Sequence, residues 1–177
     1  MKIIIGLGNP GKEYINQRHN VGFMFLDFLI KDLSVNFKYD KYLQAQICPI
    51  IIEKKTYLLI KPQTFMNLSG IAAQACLNRF KFNIDEELML IHDDLDIPLG
   101  KFKIQKGLGP KLHNGVESIE KQLKTTKFFR TRIGIDNRQK TGFIDGKDYV
   151  LNNFTTDEVG ILLSLFPQIK LQIQALF

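Results

Sequence analysis

Each of the three histidines in this 177-residue chain is followed by an amide or an acid. They fall in Arg18-His19-Asn20, Ile91-His92-Asp93-Asp94 and Leu112-His113-Asn114-Gly115. Taken singly, each reads as a surface or capping residue. Three together, each at the predicted end of a strand or start of a helix, point to a shared site, because sites in α/β sheets assemble at strand ends. The chemistry on offer is proton transfer. A carboxylate bonded to one imidazole nitrogen fixes the tautomer and stabilises the cation formed when the other nitrogen takes a proton from water. Side-chain amides such as Asn9, Asn67 and Asn114 can hold a carbonyl and donate to a developing oxyanion, each well-aimed donor being worth about 3 kcal/mol.

Competing chemistries fit less well. A metal at His19, His92, His113, Asp93, Asp94 and Asp96 stays open but unsupported, since no two histidines have the short spacing usual for zinc ligands. Asp93-Asp94-x-Asp96 lacks the glycine and distal glutamate of a calcium loop. Cys48 and Cys76 lie in apolar contexts, and no serine sits in a G-x-S-x-G elbow. Gly6-Leu7-Gly8-Asn9-Pro10-Gly11 has the form G-x-G-x-x-G after a strand. The dinucleotide fingerprint, however, needs a helix opening within the glycines, and Pro10-Gly11 breaks the chain there. What remains is His19 as a general base with a carboxylate partner, equipment for hydrolysis without a covalent intermediate.

The elements that must position these residues follow from periodicity. Lys2–Leu7 is predicted as a buried strand, and an amphipathic helix runs from His19 to about Ser34. Tyr42–Cys48, Ile50–Glu53 and Thr56–Ile60 read as strands, the last two joined by a turn at Lys54-Lys55, with Pro62 ending the hairpin. Ser69 is expected to cap the next helix. Leu88–Ile91 is a further buried strand, followed by an acidic loop, His92–Asp96. Lys101–Gln105 and Phe128–Ile135 are predicted strands flanking a helix at Gly115–Leu123, and residues 136–147 a polar connection with Gly142 and Gly146. Thr155-Thr156-Asp157-Glu158 has the form of a capping box opening a last helix, which Pro167 should bend or break. The alternation argues for one compact α/β domain over residues 1–177, with a mixed, mostly parallel twisted sheet flanked by helices.

Composition bounds the partners. Net charge is +6, yet between Lys101 and Lys140 eleven basic residues face only Glu117, Glu120 and Asp136. That window is either a solvated face or a surface for a polyanion such as RNA, whose counterions basic side chains release. No apolar run in the sequence approaches the roughly 20 residues of a bilayer span, and Gly6 and Pro10 interrupt any signal-like stretch. Two cysteines, in apolar contexts and without metal-ligand spacing, fit a reduced, cytoplasmic setting.

Gly6–Gly22 (GLGNPG…Y…RHNVG), Lys61–Gly70 (KPQTFMNLSG), His92–Gly100 (HDDLDIPLG) and His113-Asn114-Gly115 together resemble the bacterial peptidyl-tRNA hydrolase family, in that family's order and spacing. The resemblance implies a compact monomer that cleaves the ester between a peptide and the terminal ribose of tRNA, with no metal or organic cofactor and no membrane partner. It implies His19 as the base that activates water and Asp93 as the group that keeps it basic. Asn9 would help distinguish blocked from free aminoacyl groups. Tyr14, Phe65, Asn67 and Asn114 would line the site, Met66 would pack beside them, and Lys103 and Arg132 would meet phosphates. One stretch departs from the pattern. The family has a glycine-rich run before His-Asn-Gly, whereas Lys106–Leu112 here contains Pro110, Lys111 and Leu112. The approach of Asn114 and the movement of this loop are therefore expected to differ.

Overall fold

Ile3, Ile4 and Ile5 mark the middle of the molecule. In a computed structural model, which describes residues 1–141 and 145–177, strand β1 (Lys2–Gly6) lies fourth in a seven-stranded sheet. The other strands are β2 (Lys38–Asp40), β3 (Ala45–Ile52), β4 (Lys55–Pro62), β5 (Leu88–Pro98), β6 (Phe102–Lys106) and β7 (Phe129–Asp136). They are ordered β2-β3-β4-β1-β5-β7-β6. Helices α1 (Val21–Ile30), α2 (Ser69–Phe80), α3 (Ile84–Glu87), α4 (Asn114–Leu123), α5 (Arg138–Thr141), α6 (Gly146–Leu151) and α7 (Thr156–Leu176) complete the fold.

Because strand side chains alternate, β1 feeds two cores at once. Ile3 and Ile5 join Leu58, Ile60, Leu88 and Leu90 in a layer closed by α2 and α4. Ile4 joins Tyr57, Leu59, Met89 and Ile91 in a layer closed by α1 and α7. The expected α/β domain is present, but the sheet is not mostly parallel. The central pairings β4–β1, β1–β5 and β5–β7 are parallel, whereas β2–β3, β3–β4 and β6–β7 at the flanks are antiparallel. β2, β3 and β4 follow one another through short turns, which only antiparallel pairing allows, whereas β6 reaches β7 by way of α4.

Four further expectations are corrected. β3 runs unbroken through Pro49, because β2 pairs only with Ala45–Ile47 and leaves the outer edge at Pro49 without a partner. The acidic stretch His92–Asp96 is not a loop. β7 pairs alongside β5 as far as Asp94, and a register shift precedes Pro98. Ser69 does not cap α2; a 3-10 turn at Met66–Leu68 runs straight into the helix, and the Ser69 hydroxyl donates to the Met66 carbonyl. Finally, α7 continues through Pro167. A proline inside a helix costs about 3 kcal/mol. Here Leu162, Leu165, Phe166, Ile169 and Ile173 form one buried stripe, each side chain worth about 1.5–3 kcal/mol, so the helix persists. Gly142, expected in the polar connection, lies outside the described residues.

The capping box at Thr155 is present. Glu158 N–H donates to Thr155 Oγ1, and Thr155 N–H donates to Glu158 Oε2. Glu158 does more than cap. Arg18 Nη2 donates to the same Oε2 at 2.7 Å, Asn137 Nδ2 donates to Oε1, and the Arg18 guanidinium lies over the Tyr149 ring at 4.1 Å. This buried pair ties the segment before α1 to α7 across the domain. Arg18→Ala should therefore lower unfolding free energy by about 3–5 kcal/mol, because it leaves Glu158 buried and unpaired. Arg79→Ala, which breaks the partly exposed pair with Asp40, should cost less than about 1 kcal/mol. Urea titration measures both, and equal losses would contradict the buried-pair account.

Candidate active site

β1 ends beside the middle of β5, with Gly6 opposite Ile91, and the site is built where β1 stops and β5 runs on. After β1, the chain passes through Gly11 and two 3-10 turns, Lys12–Tyr14 and Arg18–Asn20, before α1 begins at Val21. No helix opens within the glycines, so the dinucleotide geometry is absent. The glycines serve close approach instead. A Cβ on Gly22 would stand 2.5 Å from the Ile91 carbonyl oxygen and from Leu7 N, and one on Gly6 would stand 2.6 Å from the Gly22 carbonyl oxygen. This contact presses the start of α1, and His19 with it, against both strands.

Asn20 then fixes the opening loop. Its Oδ1 accepts from Asn9 N–H and its Nδ2 donates to the Asn9 carbonyl, both at 2.9 Å. The Asn9 side chain reaches the second wall, where its Oδ1 accepts from Met66 N–H at 2.9 Å. With that oxygen occupied, the Asn9 amide presents its NH₂ as a donor. Tyr14 and Phe65 meet edge to face across the same two segments, with ring centroids 6.5 Å apart. Met66 is buried, while Phe65 and Asn67 are exposed on the rim.

At the centre is Asp93, 2 % exposed. A single oxygen, Oδ1, accepts from His19 Nδ1 at 2.8 Å and from His113 Nε2 at 2.9 Å. His113 is also the N-cap of α4, since its Nδ1 accepts from Gly115 N–H at 3.1 Å and Val116 N–H at 3.4 Å. An acceptor role at Nδ1 puts the ring proton on Nε2, facing Asp93. His19 is oriented in the opposite sense. Its Nδ1–H points at Asp93, and its Nε2, without a hydrogen-bond partner among the described residues, carries the lone pair.

Burial disfavours the charged form of His19, but the Asp93 charge and hydrogen bond outweigh it, so its pKa is raised above 6.5. Burial would raise the Asp93 carboxyl, yet the two imidazoles hold it well below the ordinary carboxylate range. His92 behaves otherwise. It is fully buried, its Nδ1 donates to the Asp93 carbonyl at 2.7 Å, and burial with the neighbouring His113 drops its pKa to about 3. The three histidines thus do not share one role: His19 and His113 both donate to Asp93 Oδ1, and His92 is packed beneath on the Asp93 carbonyl. The ligand atoms of His19, Asp93 and His113 lie within 4.8 Å of one another, close enough for a metal. The donor set argues otherwise, because the nitrogens facing Asp93 carry the protons of two short hydrogen bonds.

The basic window divides in two. Arg132, expected at phosphates, is 9 % exposed, and its Nε donates to buried Asp94 at 2.6 Å. Arg130 is buried, paired with Glu120 and donating to the Gly109 carbonyl. These arginines brace the loop before His113, as do Gln105, which donates to the Leu108 carbonyl, and Asp96, which accepts from Lys111 N–H. Lys103 on β6 is exposed and lies beside Arg132 in the ladder. Leu112 projects into solvent, 84 % exposed, and Asn114 stands exposed at the first position of α4.

This arrangement matches known proteins. A family described as Peptidyl-tRNA hydrolase matches residues 3–177. The chain belongs to the peptidyl-tRNA hydrolase family. It is 42 % identical over 169 residues to the peptidyl-tRNA hydrolase of Chloroflexus aurantiacus, covering 96 % of this chain and 88 % of that one. It is also 42 % identical over 160 residues to the Lactiplantibacillus plantarum enzyme of that name, covering 90 % and 83 %. Its fold is similar to the crystal structure of peptidyl-tRNA hydrolase from Acinetobacter baumannii, with a TM-score of 0.85 at 28 % identity over 99 % of this chain and 88 % of that one.

Sequence reading did not anticipate Asn20, Arg18 or Glu158 as supports of the site, nor His113 as a second donor to Asp93. Only the repeated pairing of histidine with an amide hinted at the last. The electrostatics have a measurable consequence. Folding raises the His19 pKa, so its charged pair with Asp93 stabilises the fold below pH 6.5 and that contribution is lost as pH rises through the folded midpoint. His92 acts in the opposite direction: stability falls as pH drops from 6.5 toward 3. In a histidine NMR titration, His19 should titrate above 6.5 in the parent and below 6.5 in Asp93→Asn, where burial alone remains. A midpoint unmoved by Asp93→Asn would refute the assignment.

Proposed function

We propose that this chain hydrolyses the ester joining a peptide to the terminal ribose of tRNA, with His19 as general base. The observation that carries the reading is the His19–Asp93 contact, which leaves His19 Nε2 without a partner among the described residues. Nε2 takes a proton from water as the water oxygen attacks the ester carbonyl. Asp93, already ionised, stabilises the imidazolium. The Nε2 proton then passes to the ribose oxygen as the C–O bond breaks, so no covalent enzyme intermediate forms. Asn67 and Asn114, exposed on facing rims, are the candidate donors to the tetrahedral oxyanion.

Asn9 is read as the discriminating residue. Its NH₂ can donate to the acyl carbonyl of a blocked aminoacyl group but repels the ammonium of a free one. Tyr14 and Phe65 flank the acylated tRNA end, and Met66 supports the wall from below. Lys103 is the phosphate contact best placed to act, while Arg132 holds Asp94 and the loop in position. On this reading the protein works as a cytoplasmic monomer and needs no bound metal or cofactor.

Two measurements test the proposal. His19→Ala should lower turnover of peptidyl-tRNA by about 10²–10⁴-fold while tRNA affinity stays near the parent value. Parent activity should survive a chelator, and retained turnover in the variant would sink the mechanism. Lys103→Ala should weaken tRNA binding at all sequences and reduce the slope of log K against log salt by about 1. An unchanged slope would remove Lys103 from the interface.

A further inference from the structure

The acyl group extends beyond the ester and needs a place of its own. A cleft of about 280 Å³ adjoins the opening loop, and Asn9 and Asn20 line it. Pro10, Phe23 and Met24 supply apolar walls, while Gln46, Lys61 and Gln63 supply polar ones. Such a volume lies near the lower bound of small-ligand pockets, and the mixture suits a ligand with an apolar body and a few fixed polar groups.

The polar groups are not fully engaged. Lys61, with a side chain 8 % exposed, donates to Asp27 Oδ1 at 2.5 Å and lies over the Phe37 ring at 4.4 Å. An ammonium has three donors, and Asp27 takes one. Gln63 Nε2 donates to the Lys61 and Pro62 carbonyls, leaving its oxygen without a donor among the described residues. Gln46 sits opposite Lys61 in the β3–β4 ladder, its amide unbonded among the described residues. Together they offer both donors and acceptors, as a peptide backbone requires.

Position decides between peptide and RNA. The exposed lysines of β6 lie at one end of the sheet order, and β3 and β4 toward the other, with the Asp93 centre at β5 between them. Of the two lysines lining the cleft, Lys12 stands exposed, and buried Lys61 is already matched by Asp27, whose carboxylate is 60 % exposed and would repel a phosphate. We propose that this cleft is a subsite for the peptide residue preceding the esterified one, so that tRNA lies over β6 and β7 and the peptide leaves over β4 and β3. The inference rests on the hydrolase reading above.

The test compares two substrates sharing the same esterified residue, an N-acetyl-aminoacyl-tRNA and a tripeptidyl-tRNA. Gln46→Trp, which fills the cleft, should lower kcat/KM about tenfold or more on the tripeptidyl substrate and less than about twofold on the acetylated one. Gln63→Trp enters the same space from β4 and should discriminate likewise, so misfolding of one variant does not decide the matter. Equal losses on both substrates, no loss on either, or weakened binding of deacylated tRNA would each overturn the subsite. Failure of the parent protein to hydrolyse either substrate would instead overturn the hydrolase reading.

Discussion

A single carboxylate oxygen, Asp93 Oδ1, bears most of the organisation at this site. It is buried at the end of the central sheet and accepts from two imidazoles. An ion removed from water this completely is tolerated only when paired with good geometry, because its desolvation costs several kcal/mol. Pairing it with His19 and His113 fixes three separate segments: the turn before α1, the middle of β5 and the start of α4. His113 extends the constraint by spending its remaining nitrogen on the first amides of α4. A helix start, a strand and the His19 imidazole are thereby tied to one charge.

Around that oxygen the donors differ in mobility for a physical reason. Asn9 is clamped by Asn20 through the backbone and by Met66 through its own oxygen, so its NH₂ has one direction. Asn67 and Asn114 stand exposed at short-turn and helix-start positions, free to adjust to a substrate. The loop leading to Asn114 lacks the family's run of glycines, yet buried arginines hold it from below. Arg130 takes the Gly109 carbonyl, and the Arg132 guanidinium packs so near Gly109 that a Cβ there would stand 2.5 Å from its central carbon. Leu112 meets solvent on the outer face of this loop, away from these anchors.

What the sequence disclosed was local. Ile3–Ile5, the β3–β4 hairpin and the Thr155–Glu158 capping box depend on neighbours a few residues away, and each is present. The candidate residues came from type and from motif resemblance, and the structure gathers His19, Asp93, Asn9 and Met66 around one centre. What stayed hidden was non-local. Pro49 breaks a strand only if both edges are paired, and Pro167 breaks a helix only if nothing else holds it; neither condition is written nearby. Arg132 looks like any other cation in a basic run, and only the pairing of β5 with β7 places Asp94 beside it. Asn20 gives no sign that its amide closes on Asn9.

Glu158 shows how far such hidden terms reach. One carboxylate caps α7, accepts from Asn137 and holds Arg18, the residue immediately before the base. Arg18 also donates to the Asn152 and Asn153 carbonyls and lies against the Tyr149 ring, so it has little freedom. His19 is therefore restrained from its backbone side by the C-terminal segment and from its ring side by Asp93. In the proposed mechanism, a base held at both ends loses little entropy when substrate arrives, and misplacement by about 1 Å can cost on the order of 10²-fold in rate. The long buried stripe of α7, which carries Glu158 into place despite Pro167, thus positions His19 as well as filling the core.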